Sequence, residues 1–138
     1  MPAKDSLHDT VKSALIKDGW TITHDPYPLT YGDRKVYADL GAERALAAEK
    51  GNEKIVVEVK SFVGASEVRD LELAIGQFVF YRYLLIDFEP VRVLWLAIPE
   101  EAYLSVLGDA DGADLLKHVG VKLLTVNPAR EEVVRWLP

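Results

Sequence analysis

Ile55-Val56-Val57-Glu58-Val59-Lys60 decides the fold. The run is rich in β-branched residues, which restrict χ1 and favour the extended chain, so it reads as a strand. On a strand, residues two apart share a face, roughly 6–7 Å apart. Val57 and Val59 are therefore expected to face a core, with Glu58 and Lys60 together on the opposite face. A carboxylate beside an ammonium suits metal-assisted phosphodiester hydrolysis. The carboxylate offers hard oxygen to Mg²⁺ or Mn²⁺, and the lysine orients or deprotonates water or meets charge on the phosphate.

Upstream, Val36 to Ala48 reads as a long strand, and Gly51-Asn52 as the turn that makes it a hairpin with the Glu58 strand. One carboxylate rarely holds Mg²⁺ alone, so a second is expected on this partner strand, where Asp39 and Glu43 are the candidates. If Gly51-Asn52 centres a regular hairpin, Glu43 falls opposite Lys60 and Ala45 opposite Glu58. Asp39 would then lie on the order of 20 Å from Glu58, and only a bulge or a longer, bent loop would bring it close. Geometry alone thus favours Glu43.

Downstream, Ser66 sits at an N-cap position and Glu67 to Asp87 has helical pattern, closed by Pro90. Seven- and four-residue spacing places Asp70, Ala74, Gln77 and Tyr81 on one side of this helix, where Gln77 would reach a metal-held water or a phosphate. Val91 to Ile98 and Val121 to Val126 read as strands buried on both faces. Short helices are expected over Glu100–Leu107 and Ala113–Val119, around a turn at Gly108–Gly112, and a last strand or helical turn over Glu132–Leu137.

At the other end, residues 4–18 read as a helix that Asp5 starts and Gly19 ends. His8 on this helix is a further candidate for the site. Trp20 to His24 is a short strand. Asp25-Pro26-Tyr27-Pro28 and Tyr31-Gly32-Asp33 are turn signals, so an irregular loop is expected between them. The element order predicts an α/β sandwich around a mixed central sheet, one domain over residues 1–138.

Taken singly, none of these residues compels a site. An E-x-K triplet on a strand is most often a solvated face, and Asp39 and Glu43 read as surface charge. Asp70 suits a helix start, where acidic groups complement the dipole. Gln77 and Tyr81 read as helix-surface groups, and His8 as a partly exposed helix histidine. Trp20, Trp95 and Trp136 read as core or interface residues.

Composition narrows the field. The chain has no cysteine, which excludes disulfides, thiol catalysis and cysteine-ligated zinc. Its longest apolar run, Phe78 to Phe88, contains Arg82 and Asp87 and is too short to span a bilayer. With no apolar signal core at the N-terminus, a cytoplasmic protein is expected. The formal net charge of −6 opposes unaided DNA binding, which phosphate neutralisation drives. A partner, a dimer or a local basic patch would have to compensate.

In combination the residues resemble a known group. Asp39, then eighteen residues, then Glu58-Val59-Lys60, then a helix carrying Gln77, resembles the PD-(D/E)XK restriction-endonuclease-like superfamily. The residue before Asp39 is Ala38, where the superfamily motif has proline. More closely, the chain is similar to the XisH family. The similarity lies in Pro2–Asp5, His8-Asp9, Leu15–Pro26, Asp39–Glu43, Val57–Phe62 and Ala74–Phe78.

The resemblance implies a restriction-endonuclease-like fold and a role in DNA rearrangement, as a controlling factor for excision of the fdxN element in heterocyst-forming cyanobacteria. It implies action on DNA beside a site-specific recombinase and a XisI-like companion. It also implies Asp39 and Glu58 as metal ligands, with Lys60 and Gln77 as their catalytic neighbours, and so favours Asp39 where hairpin geometry favours Glu43. Three functional readings follow: a metal-dependent endonuclease, a non-catalytic nuclease-fold module that binds companion, recombinase or DNA, and a toxin held in check by its companion.

Overall fold

A computed structural model describes residues 5–45 and 52–138. Its centre is a six-stranded mixed sheet in the order β1-β4-β5-β6-β7-β8. The strands are β1 (Thr21–His24), β4 (Leu40–Ala45), β5 (Asn52–Val59), β6 (Val93–Pro99), β7 (Leu123–Asn127) and β8 (Glu132–Leu137). The three central strands β5, β6 and β7 run parallel, and the outer ones pair antiparallel. This is the mixed α/β architecture that the element order predicts.

Both faces of the sheet are covered, which is why the inner half of β5, from Ile55 to Val59, is apolar except at Glu58. Ile55, Val57 and Val59 face a core with Val11 and Leu15 of α1 (His8–Lys17) and with Trp95, Ala97 and Leu124. Val56, Leu96 and Ile98 face the other core, with Ala74, Phe78 and Leu85 of α2 (Glu67–Phe88). Glu58 alternates onto the α2 side. The expectation that it faces away from a core is corrected: that face is a core too, and Glu58 is only 6 % exposed.

The helix ends follow local chemistry. Ser66 Oγ accepts from Arg69 N at 3.2 Å and caps α2 as expected. Gly19 takes φ +93 just beyond α1. Glu100–Ala102 (α3) runs into a π-helical turn over Tyr103–Leu107. The next helix, α4 (Ala110–Val119), starts earlier than the Gly108–Gly112 turn suggests, because Asp109 Oδ1 accepts from Gly112 N at 2.9 Å and caps it there. Trp20, Trp95 and Trp136 pack together, with Trp136 centred 5.6 Å from Trp20 and 4.8 Å from Trp95.

Two local expectations are corrected. The segment after β1 is a hairpin of β2 (Tyr27–Tyr31) and β3 (Arg34–Ala38), forming its own two-stranded sheet. Its two-residue loop is Gly32-Asp33, with Gly32 at φ +59, a conformation that costs glycine nothing. The long strand expected over Val36–Ala48 is broken at Asp39, so its halves β3 and β4 belong to different sheets. Its last residues, 46–48, and Gly51 lie outside the described residues.

The hairpin register also differs. Leu40 pairs with Val57, Glu43 with Lys54 and Ala45 with Asn52. Asn52 is thus inside β5, and the connection spans 46–51. A longer connection slides β4 so that Asp39, not Glu43 or Ala45, comes level with Glu58. Among the described residues no helix is long and apolar enough to cross a membrane.

Candidate functional site

The β4–β5 ladder stops where the chain bends at Asp39, which frees two backbone amides. Each is taken by a carboxylate from across the pair. Val59 N donates to Asp39 Oδ2 at 2.7 Å, and Asp39 N donates to Glu58 Oε1 at 3.2 Å. This reciprocal clasp holds the two acidic side chains side by side.

Their proximity has an electrostatic cost. Burial pushes the Glu58 carboxyl up to about 10, reinforced by the negative charge of Asp39 and a hydrogen bond to it, with a smaller push from Asp5. Glu58 therefore keeps its proton at neutral pH. Tyr81 of α2 lies within the same field: burial first, then Glu58 and Asp39, raises its phenol.

Around the pair stands a ring of polar groups. His8, 2 % exposed, bridges Asp25 and Asp39, with Nε2 2.7 Å from Asp25 Oδ1 and Nδ1 3.3 Å from Asp39 Oδ1. Lys12 Nζ donates to Asp25 Oδ2 at 2.8 Å. Asp5 ties the start of α1 to the end of β5, accepting from Leu7 N at 2.9 Å and from Ser61 N at 3.1 Å.

Lys60 follows Glu58 on the α2 side, and its ion-pair partner is Asp70 at 3.9 Å. Asp70 in turn accepts from Gly64 N at 3.0 Å. Phe62 turns the chain between them with φ +59, a left-handed conformation that is rare for an aromatic residue.

Of the residues singled out in the sequence, the fold brings together Asp39, Glu58 and His8, sets Tyr81 in the field of the two carboxyls, and pairs Lys60 with Asp70. Gln77 is exposed on α2 and makes no hydrogen bond among the described residues. Glu43 lies four residues along β4 from Asp39, roughly 13 Å at strand rise. It accepts from Arg92 Nη2 at 3.2 Å and has Lys54 Nζ at 3.9 Å. Asp5 and Asp25 are parts of the site that sequence reasoning took for a helix start and a turn.

A divalent cation fits this donor set in part. Asp39 and Glu58 offer hard oxygen, and a cation would offset both the burial and the repulsion from Asp39 that raise the Glu58 carboxyl. Among the described residues no group of three or more His, Asp or Glu side chains forms a ready cage. Such a cation would complete its shell with water or substrate oxygen, as Mg²⁺ commonly does.

The sequence profile of the XisH protein family matches residues 1–134. Among curated proteins none matches the chain. Two crystal structures do. An XisH family protein from Nostoc punctiforme is 36 % identical over 97 % of this chain and 100 % of its own, with a TM-score of 0.86. An fdxN element excision controlling factor protein from Anabaena variabilis is also 36 % identical, over 98 % of this chain and 100 % of its own, with a TM-score of 0.86. A profile match over nearly the whole length and two such neighbours establish that the chain belongs to the XisH family.

Proposed function

We propose that the chain is an excision controlling factor acting in DNA rearrangement, and that Asp39 and Glu58 form a divalent-metal site of the PD-(D/E)XK type. Membership of the XisH family and the likeness to an fdxN element excision controlling factor support the first part. One observation carries the second. Among the described residues Lys12 pairs with Asp25 and Lys60 with Asp70, and no lysine or arginine pairs with buried Glu58 or partly buried Asp39. Two carboxylates in that state are costly, and a hard cation offsets the cost.

In this reading Asp39 and Glu58 hold Mg²⁺ or Mn²⁺. When bound, the cation supplies positive charge against the charge that develops on a phosphodiester. Asp39 is aimed by Val59 N and His8, so it needs little reorganisation to bind. Lys60 donates to a phosphate oxygen or orients water, after loosening its long contact with Asp70. Gln77 is exposed on α2 and serves as a substrate contact.

Titration calorimetry with Mn²⁺ tests the site: wild type binds, and Asp39→Asn and Glu58→Gln do not. Cleavage of supercoiled plasmid tests the chemistry. Metal-dependent nicking should be lost in Lys60→Ala, and activity that survives in this variant rejects the endonuclease reading.

A second reading is favoured by the net charge of −6 and by the engagement of Lys60 with Asp70. Here the chain is a non-catalytic module that regulates excision by binding a XisI-like companion, the recombinase or DNA. Absence of metal binding together with a stable complex with the companion would select it.

A further inference from the structure

We infer that α2 joins two copies of this chain in an antiparallel, two-fold helix pair through its outer face. The helix is apolar on both sides. Phe78, Ala74 and Leu85 fill the core, yet Leu73, Phe80 and Tyr83 stand on the outside at 44, 37 and 61 % exposure. A helix that is hydrophobic all round is normally covered on all sides.

The outer face has a definite pattern. Arg69, Leu73, Gly76, Phe80, Tyr83 and Asp87 recur at alternating spacings of four and three, the 3.5-residue period of a helix–helix seam. Gly76 lies near the middle of the 22-residue helix, and a Cβ built on it meets nothing within 4 Å. Glycine at an exposed helix interior costs about 1 kcal/mol relative to alanine, so its use there suits the close approach of another backbone.

The order of the six residues identifies the occupant. Reversed about position 78, the seam maps onto itself. Arg69 meets Asp87 of the second copy, Leu73 meets Tyr83, and Phe80 enters the notch at Gly76. Every contact occurs twice, as an isologous two-fold interface requires. A parallel pair would place Arg69 on Arg69 and Asp87 on Asp87. An unrelated partner would not require opposite charges at mirrored ends of the stripe. Tyr31, 49 % exposed, meets Phe80 edge-on at 5.3 Å and extends the apolar surface onto the β2–β3 hairpin.

The absence of native cysteine makes the test direct. Leu73→Cys and Tyr83→Cys are prepared separately and oxidised alone and as a mixture. Covalent dimer is expected in the mixture and in neither variant alone. Sedimentation velocity should give a dimer for wild type and a monomer for Gly76→Leu, whose helical circular dichroism and melting temperature should be retained or raised. A monomer mass for wild type at every concentration overturns the proposal. So does cross-linking of either variant with itself as readily as with the other, or a dimer that survives Gly76→Leu.

Discussion

Glu58 is an acid that the fold keeps neutral, and this has a measurable sign. Its folded-state value is raised to about 10 from an ordinary 4.5, by burial first and Asp39 second. Above pH 4.5 the unfolded chain releases a proton that the folded chain retains. The contribution is therefore full below pH 4.5 and is lost as pH rises towards 10, by at most about 1.4 kcal/mol per pH unit. Glu58→Gln keeps the acceptor for Asp39 N and carries no titrating proton. In urea unfolding without metal, the variant should match wild type near pH 5 and exceed it increasingly at pH 7 and 9. Parallel stability profiles would show that Glu58 is ionised throughout. A second residue acts by hydrogen bonding: Asp70→Ala leaves Gly64 N and Lys60 without their partner. It should cost about 1–3 kcal/mol in thermal unfolding, the order that a hydrogen bond to a charged carboxylate contributes. An unchanged melting temperature would mean that water replaces the carboxylate.

Between strands, position depends on how long the connections are. The β-branched run of β5 and the helical pattern of α2 were legible in the sequence because each is a local property of a regular segment. Register was not. Whether Asp39 or Glu43 joins Glu58 depends on the 46–51 connection, and no local pattern fixes where a hairpin turns. The β2–β3 hairpin was missed for a related reason. Pro26, Pro28 and Gly32 are turn residues, yet Pro28 lies on a strand of a two-stranded sheet, where a missing N–H is tolerated. The alternation of buried Tyr27 and Leu29 was the available signal. Asp25 went unread because only the fold carries it to His8. These junctions are close-packed: at Gly41 of β4, an added Cβ would lie 2.8 Å from Tyr27 Cδ2 and 3.0 Å from His24 Nδ1. Gly41→Val should therefore push β4 from the β1–β2 corner, cost about 1–3 kcal/mol, and weaken Mn²⁺ binding by displacing Asp39 two residues away. Full stability with unchanged metal affinity would show that the corner yields without moving the carboxylate.

For the whole molecule, charge sets the terms on which it meets DNA. A formal charge of −6 repels a polyanion, and Asp5, Asp25 and Asp39, which lie about the site, are part of that charge. Ordinary DNA binders release counterions through lysine and arginine contacts, and any added salt weakens them. Here Lys12 and Lys60 are engaged with carboxylates, so a cation between Asp39 and Glu58 would be a group that reverses the local field. Divalent and monovalent salt should then act in opposite directions. Fluorescence anisotropy on a short duplex, at matched ionic strength, should show tighter binding in Mg²⁺ than in Na⁺ for wild type and no difference for Asp39→Asn. A dimer through α2 would double the number of contacts without altering that contrast, because the helix pair does not require the site. Equal weakening of wild type by both salts would mean that DNA is held through another surface. The excision role would then rest on a protein partner that supplies the missing positive charge.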